Sequence, residues 1–211
     1  RFMLRELPID RSCTLRELDV RGLQSIYATW RGRVPVVMPR RVHISDELMR
    51  NEDRQEYADG LAAVVREIAF GEDLRPRLST AIEHAYELKP PPYLAPRLSG
   101  QQHDRLLADW GIHHLHLSTK SHHRRPEFLA RTRQVLFVAF VGLDAYLIDL
   151  RPHESAGANW SELAILEIVV RNWPDAGILL SSVWATGLSG GNWSDADRRR
   201  LREHGVATGM V

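Results

Sequence analysis

Two apolar segments joined by a three-residue turn constrain the fold of this chain more than any other feature of its sequence. Residues 134–141 are almost entirely apolar and rich in β-branched and aromatic side chains, which is typical of a buried strand. Residues 145–150 form a second such segment, and Gly142, Leu143 and Asp144 lie between the two. Because so short a connection sets neighbouring strands in opposite directions, the sequence predicts an antiparallel hairpin.

The segments around this hairpin predict an α+β fold. Apolar spacing predicts a helix over residues 46–70, with Ser45 or Asp46 at its start and Gly71 at its end. Further helices are expected over residues 77–88, 101–109, 160–172 and 194–204, and further strands over residues 34–38, 112–117 and 178–184. We therefore expect a small antiparallel β-sheet with helices packed on one face, preceded by a mainly helical N-terminal part.

A proline-rich segment at residues 89–96 suggests where the chain divides, because consecutive prolines form stiff spacers. Residues 1–96 would be a mainly helical N-terminal part that ends in this segment, and residues 97–211 a sheet-bearing catalytic part. A chain of 211 residues also fits one continuous domain.

Composition excludes several classes of protein. Hydrophobic residues make up 44% and charged residues 26%, as in ordinary globular proteins, and no apolar run reaches the roughly 18 residues of a membrane span. The single cysteine, Cys13, cannot form an internal disulfide, and no signal peptide is evident in a chain that begins at Arg1. We therefore expect a cytoplasmic protein. The net charge of +1 provides no overall field that would attract nucleic acid.

Histidines are concentrated on the first predicted strand of the sheet. Five of the ten histidines fall within residues 113–123. Strand side chains alternate between faces, so His114 and His116 share one face. On the second strand of the hairpin the same rule places Asp149, Arg151 and His153 on one face. The remaining residues of that strand, Tyr146, Ile148 and Leu150, would share the other.

Packing of the apolar faces against helices would leave these polar residues on one open, concave surface. Histidine transfers protons near pH 7, aspartate can fix the tautomer of a histidine, and arginine binds phosphate or stabilises a charged transition state. The candidate catalytic residues are therefore His114, His116, His153, Asp149, Arg133 and Arg151.

A basic stretch adjoins the histidines. Lys120, Arg124, Arg125, Arg131 and Arg133 face the single acid Glu127, which gives five positive charges minus one, or +4. Such a patch suits a phosphate-bearing ligand, although it is equally typical of a solvated loop. The candidate substrate-binding residues are Arg131, Lys120, Arg124, Arg125 and Trp110, the last through base stacking unless it packs in the core.

The order of helices and strands over residues 75–173 resembles the RelE and HigB ribonuclease toxins. The resemblance rests on the stretch Gly111-Ile-His-His-Leu-His-Leu and on the hairpin, whose first strand follows Arg133, where those toxins often carry an arginine. It implies helices packed on one face of a small sheet whose open face cuts messenger RNA without a cofactor. It also implies a neutralising antitoxin as a partner. Larger effector nucleases with the same sheet use pairs of histidines as acid and base.

In this interpretation one of His114, His116 and His153 activates the ribose 2′-hydroxyl and another protonates the leaving oxygen. Arg133 or Arg151 stabilises the charge on phosphorus. The sequence does not distinguish the acid from the base.

Other uses of the same residues stay open. His114, His116 and His153 have the composition of a catalytic zinc site with Asp149 behind it, although nearby arginines disfavour a cation. His116-Leu117-Ser118 and His153-Glu154-Ser155 match the bare motif of two-histidine phosphoesterases. The chain could also be a non-enzymatic binding module that uses the histidines as a recognition surface.

Overall fold

The structure is a computed structural model that describes Gln24, Tyr27, Ile82 and residues 32–79, 105–153 and 162–178 of the chain. These residues include one four-stranded sheet in the order β1-β4-β3-β2. Its strands are β1 (Arg41–Ile44), β2 (Ile112–His116), β3 (Gln134–Val141) and β4 (Asp144–Pro152). Strand β1 is parallel to β4, and the other pairs are antiparallel. A mixed sheet with helices fits the α+β class, but the purely antiparallel sheet expected from the sequence is wrong.

No local sequence pattern indicated strand β1. The expected strand over residues 34–38 is wrong, because those residues run irregularly and the chain enters the sheet only at Arg41. Strand β1 is a short edge strand that alternates polar and apolar residues. Its pairing brings Arg41 opposite Asp144, and the guanidinium Nη2 lies 2.8 Å from the carboxylate. This parallel pairing is long-range and leaves no local sequence pattern.

The predicted hairpin is confirmed, and a bulge corrects its side-chain directions. Strands β3 and β4 pair from Val141 opposite Asp144 through the turn at Gly142, whose φ of 55° favours glycine. The register shifts between Phe137 and Val138, which leaves Ile148 as the extra residue. Ile148 therefore packs in a different core cluster from Leu150, so the expectation that they share a face is wrong.

The described residues form four α-helices, of which the second and the fourth, with 13 and 11 residues, are the longest. They are α1 (Asp46–Arg50), α2 (Ala58–Phe70), α3 (Arg105–Trp110) and α4 (Glu162–Asn172), with 3₁₀ turns at Glu52–Arg54 and Arg75–Arg77. Helices α3 and α4 confirm the described parts of the helices predicted over residues 101–109 and 160–172, whose first residues, 101–104 and 160–161, lie outside the described residues. The helix expected from residue 77 does not begin there, because Leu78 is extended and the preceding turn is 3₁₀.

The single helix predicted over residues 46–70 is divided at Asn51. Its expected ends are confirmed: the Ser45 hydroxyl accepts the Leu48 N–H, and Gly71 ends α2 in the left-handed conformation with φ 72°. Asn51 is extended, and its side-chain oxygen accepts the N–H of Asp53 to begin the 3₁₀ turn. Asparagine competes in this way with the helical hydrogen bonds, so a continuous apolar period does not guarantee a continuous helix.

Helices cover both faces of the sheet, so the expectation of helices on one face is wrong. On one side Leu136 and Val138 of β3 pack in a core cluster to which α2 contributes Leu61, Val64 and Ile68. On the other side the alternate residues of β3 pack with α3 and α4. That second cluster includes Val135, Phe137, Leu106, Trp110, Ile165 and Val169.

Several predicted segments lie outside the described residues. They are the proline-rich segment at 89–96 with the proposed division after residue 96, most of the strand over 178–184, and the helix over 194–204. Strand β1, which precedes the proline-rich segment in the sequence, belongs to the same sheet as the strands that follow it.

Candidate functional site

Three imidazoles from two strands converge at one end of the sheet, as the alternation predicted. His114 and His116 lie on β2, and His153 directly follows β4. Their ring centroids are 6.2 Å apart for His114 and His116, 5.9 Å for His114 and His153, and 5.1 Å for His116 and His153. We call these three residues the histidine cluster. It assembles across β3, because β2 and β4 flank that strand.

The cluster is far less open than expected. Only 8% of His114 and 1% of His116 are exposed, because the second core covers this face of the sheet. The expected open, concave surface is therefore wrong. His153 and Arg151 are half-buried and Arg131 is exposed, so these three residues form the solvent side of the site.

His116 is held neutral and in one tautomer. Burial lowers its pKa to about 3, and the charges of His114, His153 and Arg131 act in the same direction. Its Nδ1 accepts the backbone N–H of Thr132 at 3.4 Å, so the proton of the neutral ring lies on Nε2. Nε2 is buried and has no hydrogen-bond partner among the described residues. His116 therefore presents an unused N–H donor inside the cluster.

His153 connects the interior of the cluster with solvent. Burial lowers its pKa and the charges of His114 and Arg131 lower it further, while a backbone hydrogen bond opposes them. Its own N–H donates to the Arg133 carbonyl, which extends the pairing of β3 and β4 by one residue. A half-buried imidazole with a lowered pKa is predominantly neutral at pH 7 and can accept a proton.

Asp149 belongs to a buried network beside the cluster. Its Oδ1 accepts from Asn51 Nδ2 at 2.7 Å and from the Leu150 N–H at 2.8 Å, and Arg151 Nε lies 2.8 Å from its Oδ2. None of these partners is a histidine, and among the described residues it is Thr132 that orients His116. The residues Thr132 and Asn51 were missed from the sequence, because backbone donors and long-range side-chain contacts leave no local motif.

Arg131 and Arg133, which precede β3, differ in their surroundings. The charge of Arg131 acts on both His116 and His153. Burial raises the pKa of Tyr57, and the charge of Arg133 opposes that effect. The structure therefore brings Arg131 to the cluster more clearly than Arg133.

The candidate substrate-binding residues have two environments. Trp110 is 4% exposed and packs in the second core, which matches the alternative of core packing. Lys120, Arg124 and Arg125 lie on the loop between β2 and β3, where Arg125 pairs with Glu127 and lies 5.1 Å over the ring of Phe128.

The geometry of the histidine cluster bears on the two alternative enzymes, a zinc hydrolase and a two-histidine phosphoesterase. Among the described residues, no three His, Cys, Asp or Glu side chains are arranged to hold a metal ion. A metal on His116 Nε2 would also need Nδ1 to carry the proton, but Nδ1 accepts the Thr132 N–H. The rings of His116 and His153 stack with centroids 5.1 Å apart, and Glu154 and Ser155 of the second phosphoesterase motif lie outside the described residues, so the two-histidine phosphoesterase stays a prediction.

Comparison with known proteins provides no relative: no family model, curated protein or solved structure matches the chain. Among the described residues, no helix combines the length and the apolar character needed to cross a bilayer. Any assignment of function therefore depends on the chemistry of the site itself.

Proposed function

We propose that the chain is a metal-independent endoribonuclease whose histidine cluster supplies general acid and base. The convergence of three imidazoles from β2 and β4, with centroids 5.1–6.2 Å apart, carries the proposal. Isolated histidines are common in protein cores. Three in mutual contact, with an exposed cation beside them, are typical of sites that move protons.

The roles follow from exposure and charge. His153, neutral and half-buried, accepts the proton of the ribose 2′-hydroxyl, whose oxygen then attacks phosphorus. The bond from phosphorus to the 5′-oxygen breaks, and His114 donates the proton that this leaving oxygen takes up. The products are a 2′,3′-cyclic phosphate and a free 5′-hydroxyl. His116 is 1% exposed, and its pKa of about 3 excludes an imidazolium at pH 7, so it supports the stacked ring of His153 and exchanges no proton with the substrate.

Positive charge near the phosphate comes chiefly from Arg131. It is exposed, it acts electrostatically on both His116 and His153, and none of the described carboxylates pairs with it. Arg151 contributes less, because Asp149 neutralises it at 2.8 Å. A cation beside the phosphate stabilises the charge that develops in the transition state.

The order of helices and strands, which resembles that of the RelE and HigB toxins, supports metal-independent cleavage of RNA. It extends the proposal to messenger RNA as substrate, to an antitoxin that covers the site, and to a cytoplasmic setting. The lone Cys13 fits a reducing compartment.

Cleavage of a short RNA tests the proposal. We expect the purified protein to cut a fluorescent RNA with chelator present and to leave intact the same oligonucleotide with 2′-deoxyribose throughout. His153→Gln and His114→Gln should each lower the rate by about 10²–10⁴-fold. The matched control is His43→Gln on β1, where the imidazole bonds Asp144 instead of the cluster.

Each other outcome overturns the proposal. Turnover abolished by chelator, with zinc found by elemental analysis, would favour a zinc hydrolase. Cleavage unaffected in both cluster variants would place the reaction elsewhere. An absence of RNA cleavage, with melting temperatures preserved, would favour the phosphoesterase or the binding module.

A further inference from the structure

Backbone hydrogen bonds and one buried side chain attach the loop between β2 and β3, residues 117–133, to the rest of the fold. Ser121 and Leu129 form an isolated β-bridge, and the His122 N–H donates to the Phe128 carbonyl at 2.8 Å. Phe128 is 1% exposed and packs in the same core cluster as Leu136 and Val138 of β3, which holds the loop against the sheet. The Leu129 N–H also donates to the Pro76 carbonyl at 2.7 Å. The side chains on its outer surface are therefore presented by a rigid backbone.

The outer surface of this loop carries cations that pair with none of the carboxylates in the described residues. The charge of one other cation, Arg125, is neutralised by its ion pair with Glu127. Lys120, Arg124 and Arg131 are exposed, and no ion pair joins them to a carboxylate in the part of the chain that the structure describes. Unneutralised cations on a rigid surface attract a polyanion and release its counterions on binding.

Two stacked imidazoles lie among these cations. The rings of His122 and His123 have centroids 4.8 Å apart and planes 24° from parallel. His122 Nδ1 accepts the backbone N–H groups of Arg124 and Arg125, each at 3.2 Å, which fixes the ring. His123 is exposed, so one face of its ring packs on a fixed support and the other is open to a ligand.

The loop joins the histidine cluster directly. At its C-terminal end the Thr132 N–H donates to His116 Nδ1 at 3.4 Å, and at its N-terminal end the Leu117 N–H donates to Thr132 Oγ1 at 3.2 Å. The loop and the cluster therefore share Thr132 as a common contact.

We propose that this loop binds single-stranded RNA, with one base stacked on the open face of His123 and the flanking phosphates on Arg124 and Lys120. The bases of a duplex are stacked on each other and cannot reach such a platform, whereas an unpaired base can. The choice of RNA over DNA rests on the proposed function, because the reaction needs a 2′-hydroxyl.

Binding of an RNA that cannot be cleaved tests this inference separately from catalysis. The probe is a fluorescein-labelled, fully 2′-O-methylated single strand, and the measurement is fluorescence anisotropy at several salt concentrations. We expect single-strand binding to exceed binding of the annealed duplex by about tenfold, and His123→Ala to weaken it about tenfold. His123→Phe, which keeps an aromatic face, should restore it. Arg124→Gln should reduce the salt slope by about 0.7.

The matched control is Arg66→Gln, an exposed arginine on α2. Equal binding of single strand and duplex, or wild-type binding by both His123→Ala and Arg124→Gln, would overturn the inference. Binding that is lost in His123→Ala, without cleavage of ordinary RNA by the wild type, would keep the loop as a binding site and overturn the proposed function. Cleavage of ordinary RNA at the wild-type rate by His123→Ala would overturn the loop as a binding site and keep the proposed function.

Discussion

The rings of His116 and His153 stack on one another, with centroids 5.1 Å apart and planes 30° from parallel. His116 ends β2 and His153 follows β4, so the contact spans the strand between them. Protonation of either ring places a charge against the other, and His116 is almost fully buried. Burial and this proximity lower the pKa of His116, and burial also lowers that of His153. The fold therefore favours the neutral forms of His116 and His153.

Acid should destabilise the protein through His116. The folded pKa of about 3 lies below the ordinary value of 6.5, so between these values the unfolded chain binds a proton that the folded protein does not. The free energy of unfolding then falls by about 1.4 kcal/mol for each pH unit below 6.5, until about pH 3. Urea unfolding at pH 7, 6, 5 and 4 measures this slope.

His116→Gln removes the titrating group and should flatten the acid limb, even if it lowers stability at pH 7. The control His123→Gln replaces an exposed imidazole outside the cluster and separates the effect of His116 from that of losing a histidine in general. An unchanged slope in His116→Gln would mean that other groups cause the acid sensitivity.

Local patterns predicted the parts of the site that depend on strand alternation. His114 and His116 were placed on one face because strand residues alternate, and His153 was added because the hairpin returns toward β2. These inferences need only period and turn length, which sequence displays directly. The zinc and phosphoesterase alternatives used the same residues, because sequence shows which side chains meet but not how their nitrogen atoms are directed.

Long-range relationships could not be predicted. The parallel pairing of β1 with β4 sets Arg41 against Asp144, a contact between distant segments that no local pattern indicates. The bulge at Ile148 moved side chains between faces, and the second core turned an expected open surface into a buried one. Each of these depends on contacts between distant segments, whose energies exceed local propensity.

Thr132 should stabilise the junction of β2 and β3 through its hydroxyl. Oγ1 accepts the Leu117 N–H at 3.2 Å and donates to the Gln134 carbonyl. Thr132→Val keeps the shape but leaves both backbone groups without this partner, which should cost about 1–3 kcal/mol in urea unfolding. Thr132→Ser keeps the hydroxyl and should retain most of the stability. A Thr132→Val variant as stable as the wild type would contradict this role of the hydroxyl.

Arg77 should be essential to stability, because it neutralises a largely buried carboxylate. The side chain of Arg77 is 3% exposed, its Nη2 donates to Glu67 Oε1 at 2.6 Å, and its Nη1 donates to the His116 carbonyl at 3.0 Å. Arg77→Met should lower the free energy of unfolding by about 3–5 kcal/mol, since Glu67 loses its counter-charge.

Two further variants test the cause of that loss. Arg50→Met breaks an exposed pair with Asp46 and should cost no more than about 0.5 kcal/mol. The double variant Arg77→Met with Glu67→Met should recover much of the single variant's loss, because no charge stays buried. A double variant as unstable as the single one would show that the bonds of Arg77 to the carbonyl of His116 matter more than Glu67.

Gly60 should tolerate no side chain, because α2 meets the loop that follows β2 at this position. A Cβ on Gly60 would lie 2.1 Å from the Leu117 carbonyl oxygen, a backbone atom that cannot rotate away. Alanine is the better helix former by about 1 kcal/mol, so propensity alone predicts that Gly60→Ala is stabilising. We expect the opposite, a loss of at least about 2 kcal/mol in urea unfolding, because α2 must move away from the sheet. Gly32→Ala, where nothing lies within 4 Å, should be neutral, and a neutral Gly60→Ala would contradict the close packing of α2.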